Sequence, residues 1–162
     1  MASQHPMLAG IYQGWERYNG LLAGALAPLS DEQLDLRATP NLRSIRELAT
    51  HLIAVRARWF HLALSEGGDE LAAIGAWDRP GEPARSASEL LAGLEATWRQ
   101  MTEAIARWTP EQLDETITEE EDGETETFTR PEVIWHLIEH DLHHGGEIGY
   151  SLGMHGLAAP DI

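Results

Sequence analysis

A chain of 162 residues with 43% hydrophobic content is the size of one domain, residues 1–162, with one core. It carries 27 acidic against 11 basic residues, a formal charge of −16 that repels nucleic acid and anionic membrane surfaces, because phosphate binding needs a basic stripe. Cysteine is absent, which excludes disulfides, thiolate metal sites and a cysteine nucleophile, and with neither a basic apolar leader nor roughly 18 consecutive apolar residues, no signal peptide or membrane span is expected and a cytoplasmic address is the default.

From about Met7 to Ala27, apolar residues recur at Leu8, Ile11, Trp15, Tyr18, Leu22 and Ala25. This alternating three-and-four spacing marks a bundle helix, and Pro28 ends it. Ser30 to Asp35 reads as a turn or short helix, and Pro40 breaks the chain again. Ser44-Ile45-Arg46-Glu47 is a capping box, in which serine caps the backbone and glutamate reaches back. The helix it opens is expected to run to about Ser65, with the seam Ile45, Leu48, Leu52, Val55, Trp59 and Leu62, and Gly67-Gly68 stops it.

Residues 67–85 hold glycine, proline and charge without a sustained period. A connection of that length is unusual between antiparallel neighbours. It predicts a crossover along the bundle and a third helix parallel to the second. Ser86-Ala87-Ser88-Glu89 is a second capping box, followed by Leu91, Leu94, Trp98, Met101, Ile105 and Trp108 and an end before Pro110.

Residues 115–129 are acidic, and Asp122-Gly123 between alternating segments signals a hairpin, with an irregular loop an equal alternative. The run Glu119 to Asp122 reads as a solvated loop. Thr129-Arg130-Pro131-Glu132 is a third capping box with proline in the first turn, opening a helix to about Gly153. The fold class is therefore all-α, a four-helix bundle with a long crossover between helices two and three. Trp15, Trp59, Trp98 and Trp108 are expected in its core. Two short echoes, Ser30–Asp35 with Thr109–Asp114 and Glu47–Ile53 with Glu132–Ile138, suggest two helix pairs of similar plan.

Four of the eight histidines fall between His136 and His144. Residues four apart on a helix share a face about 6 Å apart at Cβ, so His136/His140 and His140/His144 are both candidate metal-binding pairs. Extending the last seam through Val133 and Leu137 lands on His140 and His144, then on Ile148 and Ser151. Two successive core positions are thus imidazoles, and each unpartnered one would cost about 1–3 kcal/mol.

His51 flanks the seam of the second helix, about 10 Å from its start at 1.5 Å per residue. His144 lies about 14 Å from the end of the fourth helix, and His140 about 6 Å further. Antiparallel packing would therefore permit a His51/His140/His144 cluster. Three histidines with an open position form the pattern of a catalytic zinc site. His136 is the alternative to His144 but falls beside the seam, and the two lie about 12 Å apart along the axis, too far for one metal. His143 is turned about 100° from His144 and is read as an outer or surface residue. His5, His61 and His155 are read as surface or filler, and Glu47 as a cap that could also orient His51.

These residues carry a resemblance. Ser44-Ile45-Arg46-Glu47-Leu48 leading to His51-Leu52, then Trp135-His136-Leu137-Ile138-Glu139-His140-Asp141-Leu142-His143-His144-Gly145, resemble the DinB/YfiT-like superfamily of metal-dependent proteins, related to the bacillithiol and mycothiol S-transferases. The resemblance covers nearly the full length. It implies a helical bundle, a homodimer, and one divalent metal, zinc or nickel, on His51, His140 and His144.

Many members follow the last ligand with Arg-Gly-Gln, whereas here Gly145-Gly146-Glu147 stands in that place. The expected activity is that of a metal-dependent S-transferase drawing on an external low-molecular-weight thiol, or of a hydrolase, with Glu47, Glu139 and Glu147 the carboxylates considered as base. The other reading is a non-enzymatic, stress-related helical protein with a structural metal or none.

Overall fold

The computed structural model describes residues 6–121 and 123–162, and the side chains of these except 6–8, 119–121 and 124. The expectations placed on His5, on Asp122, on the side chain of Leu8 and on the Glu119–Asp122 run therefore lie outside the described residues or side chains.

Most of the helix starts obey local chemistry. Helix α1 spans Pro6–Leu26 and the single turn α2 spans Asp31–Leu34, capped by Ser30. Helix α3, Ile45–Arg58, opens on Ser44: its hydroxyl accepts from the Glu47 amide, and its own amide donates to the Glu47 carboxylate at 2.6 Å. Helix α5, Ala87–Arg107, opens on Ser86 in the same way. After the turn α6, Pro110–Leu113, and strands β1, Thr116–Glu121, and β2, Glu124–Thr129, helix α7 runs Arg130–Met154. The Glu132 carboxylate accepts from the Thr129 amide at 2.7 Å at its start.

The chain is mostly helical with one small sheet, so the all-α expectation is corrected by a hairpin. β1 and β2 pair antiparallel from Thr116 opposite Thr129 to Glu121 opposite Glu124. Threonines favour the extended backbone, and Ile117 opposite Phe128 gives the hairpin an apolar pair that packs on the core. The connection 67–85 also contains a helix, α4, Gly68–Gly75, which buries Leu71 and Ile74. Gly67 at its start has φ +73°, and a Cβ there would lie 2.2 Å from Leu71, so only glycine fits.

Side-chain contacts set the helix directions. Along α3 and α7, His51 faces His140 and His144, Arg56 faces Asp141, and Trp59 faces His136, so these helices are antiparallel. Ile53 lies at Gly93, and Glu66 bonds Arg107 at 2.7 Å, so α5 runs parallel to α3. Trp15 meets Asp141 and Tyr18 meets Gly145, which makes α1 parallel to α7.

Three seams depart from the spacing. α3 passes into a π-helical segment, Trp59–Ala63, closed by Leu64 N–H donating to Trp59 C=O at 3.2 Å. The extra residue in that turn rotates the apolar face: Phe60 and Leu64 become buried, and Leu62 is 64% exposed. On α5 the buried face is Leu90, Gly93, Leu94, Thr97, Met101 and Ala104, leaving Leu91 and Ile105 at its margin. On α1, Ile11 is exposed. Of the four tryptophans expected in the core only Trp15 is buried; Trp59, Trp98 and Trp108 are half-buried against it, because a large indole at a helix edge covers apolar surface without being enclosed.

Candidate functional site

The α3–α7 interface brings His51, His140 and His144 together, with one nitrogen of each within 4.8 Å of the others. His51 Nε2 and His140 Nε2 are 3.3 Å apart. Ring centroids are separated by 5.1 Å for His51–His140, 4.9 Å for His51–His144 and 4.4 Å for His140–His144. Two nitrogens each about 2.0–2.1 Å from a tetrahedral zinc would lie about 3.3–3.4 Å apart, so the His51–His140 pair has the spacing of two ligands to one divalent cation, with a His144 nitrogen within 4.8 Å of both.

Carboxylates clamp two of the three rings. Asp78 Oδ2 is 2.8 Å from His51 Nδ1, and Glu147 Oε2 is 2.6 Å from His144 Nδ1. A carboxylate accepting from Nδ1–H holds the imidazole in the tautomer whose Nε2 lone pair is free for a cation. Asp78 is itself held by Arg58, whose Nη2 is 3.0 Å from Oδ2 and whose Nη1 bonds both Asp78 and Gly75. Burial would raise the Asp78 carboxyl, but hydrogen bonds from Arg58 and His51 outweigh it, and its pKa is lowered.

The third ring is buried differently. His140 Nδ1 has no hydrogen-bond partner among the described residues. Burial first, then the neighbouring His144, His51, His136 and Arg56, lowers the His140 pKa from 6.5 to about 3. Burial also lowers His144, against the raising effect of its bond to Glu147. Both rings are therefore neutral at physiological pH, the state in which imidazole binds cations.

Behind His140 lies a buried ion pair. Arg56 and Asp141 are both fully buried, with Nη2 to Oδ2 at 2.6 Å. Trp15 Nε1 donates to Asp141 at 2.6 Å, and Arg56 Nη1 donates to Asn19 at 2.8 Å. This knot ties α1, α3 and α7 together immediately behind the histidines.

The other candidates fall outside the triad. His136 packs on Trp59 with centroids 5.0 Å apart and is 6.0 Å from the His140 ring. His143 is exposed, 3.9 Å from Glu147. His155 accepts no such role, bonding Arg37 C=O at 2.8 Å, and His61 is half-buried on the π-helical segment. Glu47 caps Ser44 and pairs with Arg37 at 2.9 Å, so it does not orient His51; Asp78 does. Glu147 is committed to His144, and Glu139 is exposed.

Asp78, Arg58, Arg56 and Asp141 had no place in the sequence reading. Asp141 carried a usable signal: it falls on a second stripe of α7, Ile134, Ile138, Asp141, Gly145, Ile148 and Leu152, that is otherwise apolar or glycine and wholly buried. Asp78 lies in an aperiodic connection and carried none. Gly145 lies against α1: a Cβ there would sit 2.2 Å from Tyr18 Oη, leaving no room for a side chain.

Two clefts open on the triad. One of about 420 Å³ is lined by Arg43, Thr50, His51, Trp77, Asp78 and Arg79 among others. The second, about 590 Å³, is lined by Arg43, Leu48, His144, Glu147 and Tyr150 among others.

Fold and site together define a mostly helical protein in which two antiparallel helices converge three imidazoles on one point. The DinB family model matches residues 3–162, and the chain belongs to the DinB family. The crystal structure of a DinB-like protein from Bacillus cereus ATCC 10987, at 2.01 Å resolution, matches with a TM-score of 0.71, covering 95% of this chain and 96% of that one. At 22% identity the likeness is one of fold. No curated protein matches the chain.

Proposed function

We propose that the protein is a divalent-metal-dependent enzyme in which His51, His140 and His144 hold one zinc or nickel ion. The observation that carries the reading is the convergence of three histidine nitrogens within 4.8 Å, two of the rings clamped by Asp78 and Glu147. Three protein ligands leave a coordination position open, whereas a structural site takes four. When bound, such an ion supplies Lewis acidity that lowers the pKa of a thiol or water nucleophile.

The chain's own residues do the rest. Asp78 and Glu147 fix ring orientation, burial keeps His140 unprotonated, and the flanking clefts admit a small molecule. Having no cysteine, the protein would use an external low-molecular-weight thiol as an S-transferase, or water as a hydrolase. In this reading α1, α3, α5 and α7 form a single-domain four-helix bundle whose crossover carries Asp78 to the site. The outward face of α7, where Trp135, Leu142, Tyr150 and Met154 are exposed, would be the homodimer contact.

The test is the metal content of untagged protein purified without a nickel column. About one equivalent is expected for the wild type and almost none for His51→Ala, His140→Ala or His144→Ala; a metal-free wild type that takes up no added zinc overturns the reading. A second reading, a non-enzymatic role with a structural metal or none, draws on the 3.3 Å separation of His51 and His140, which also suits an N–H···N hydrogen bond. Metal content decides the metal-free form of that reading; in a metal-loaded chain, chelation that unfolds the protein marks a structural metal, and a chelated chain that keeps its native fold marks a site kept for chemistry.

A further inference from the structure

All 11 basic residues of the chain are arginines. Eight of them reach a carboxylate within ion-pair distance. Among the described residues, Arg17, Arg43 and Arg79 reach none. Two of these three share one place: Arg43 and Arg79 both line the cleft of about 420 Å³ that reaches His51. Arg43 lines the cleft at His144 as well.

The carboxylates of the His51 cleft are already committed. Glu47 pairs with Arg37 at 2.9 Å, Asp78 with Arg58 and His51, and Glu82 with Arg85 at 2.6 Å. Arg46, the third arginine of the lining, is bound to Asp35 at 2.7 Å and to Asp31 at 3.2 Å. The lining is therefore formally neutral, three arginines against three carboxylates, in a chain whose charge is −16. Two guanidinium groups that reach no carboxylate among the described residues thus line one concave site, where an anion could engage both. Their planar forks suit the paired oxygens of a carboxylate or phosphate. A net charge of −16 disfavours anions over the surface as a whole, so a cleft holding two such arginines is a favoured place for a negative group.

We infer that the ligand of this site is a small organic oxyanion, its carboxylate or phosphate group held by Arg43 and Arg79 while the rest of the molecule faces His51. The inference deepens the proposed enzymatic reading by naming the charge of the substrate, and it rests on that reading only for what happens at the histidines.

The experiment is an NMR titration of the labelled full chain at about pH 8, above the ordinary imidazole pKa of about 6.5, in zinc-loaded and metal-free forms. The probes are succinate, inorganic phosphate and the uncharged succinamide. Succinate or phosphate is expected to shift the Arg43 and Arg79 side-chain signals and those around His51, and succinamide is expected to leave them in place. The double variant Arg43→Gln/Arg79→Gln should weaken anion binding by at least about tenfold, the scale of one charge-assisted hydrogen bond. Arg17→Gln, which touches neither cleft, should bind as wild type.

If neither anion binds, if succinamide binds equally well, or if the double variant binds undiminished, the inference is overturned. A preference between the two anions identifies the oxyanion. Anion binding through both arginines in a chain that takes no zinc would refute the metal centre and leave this inference standing; zinc uptake without anion binding would do the reverse.

Discussion

Replacing Asp78 by asparagine removes one charge from the support of His51 while keeping the shape of the side chain. In the wild type, Asp78 Oδ2 accepts from His51 Nδ1 at 2.8 Å and from Arg58 Nη2 at 3.0 Å. Asparagine offers one oxygen where the carboxylate offered two, so Arg58 and the imidazole must compete for it. Loss of such an outer partner costs about 10–100-fold in metal affinity, which is about 1.4–2.8 kcal/mol. The Arg58–Asp78 pair is partly exposed, with side chains at 20% and 16%, so its own loss should cost the metal-free protein no more than about 1 kcal/mol. Competition for zinc against a chromophoric chelator reads the first quantity, and urea melts of the metal-free protein read the second. Glu147→Gln should cost less zinc affinity than Asp78→Asn, because Glu147 is 41% exposed and water can replace it. The reasoning fails if Asp78→Asn binds zinc as tightly as wild type, or if Glu147→Gln proves the more damaging.

Three further outcomes are expected. Asp141→Ala leaves the Arg56 guanidinium buried without its counter-ion and Trp15 Nε1 without an acceptor, and should destabilise by about 3–5 kcal/mol in chemical denaturation. Arg56→Met/Asp141→Leu should recover most of that, and a single-variant loss below about 1 kcal/mol would show that water reaches the pair. Gly145→Ala places a methyl 2.2 Å from Tyr18 Oη and 3.0 Å from Leu22. It should cost about 1–3 kcal/mol by overpacking, partly relieved by Tyr18→Phe, and a variant as stable as wild type would mean that α1 yields easily. The Thr129 hydroxyl and amide hold the Glu132 carboxyl below its ordinary value of 4.5. As a lowered acid, it contributes stability that is present above that value and lost as pH falls through its folded value, so Glu132→Gln should flatten the acid limb of a Tm–pH profile, and an unchanged limb would dismiss the cap.

The legible parts of this fold are those decided by near neighbours. Ser44 with Glu47, Ser86 with Glu89 and Thr129 with Glu132 start helices where the pattern places them, because a cap involves residues three apart and no others. The placement of His140 and His144 on one seam of α7, with His136 beside it, follows from helical period alone, whereas the partner each meets, His51 and Trp59, is a matter of packing. The α3 seam failed where the period itself changes. A π-helical turn at Trp59–Ala63 carries no composition that separates it from an α-helical turn, so Leu62 was placed inward and lies outward. The hairpin could not be told from a loop because its decisive contact, Ile117 and Phe128 docked on the core, is supplied by the rest of the protein.

Composition and short-range spacing were enough for the helical character, the caps, the exclusion of cysteine chemistry and the pairing of His140 with His144. They also brought His51 into view, since one antiparallel contact and a rise of about 1.5 Å per residue match its level to theirs. What surrounds those histidines had to wait for the packed molecule. Asp78 reaches His51 from a connection without period, and Arg56 finds Asp141 across 85 residues of chain. Gly145 takes its meaning from Tyr18 on another helix. A carboxylate in a sequence is solvated by default, and only burial beside a particular arginine or imidazole turns it into a clamp.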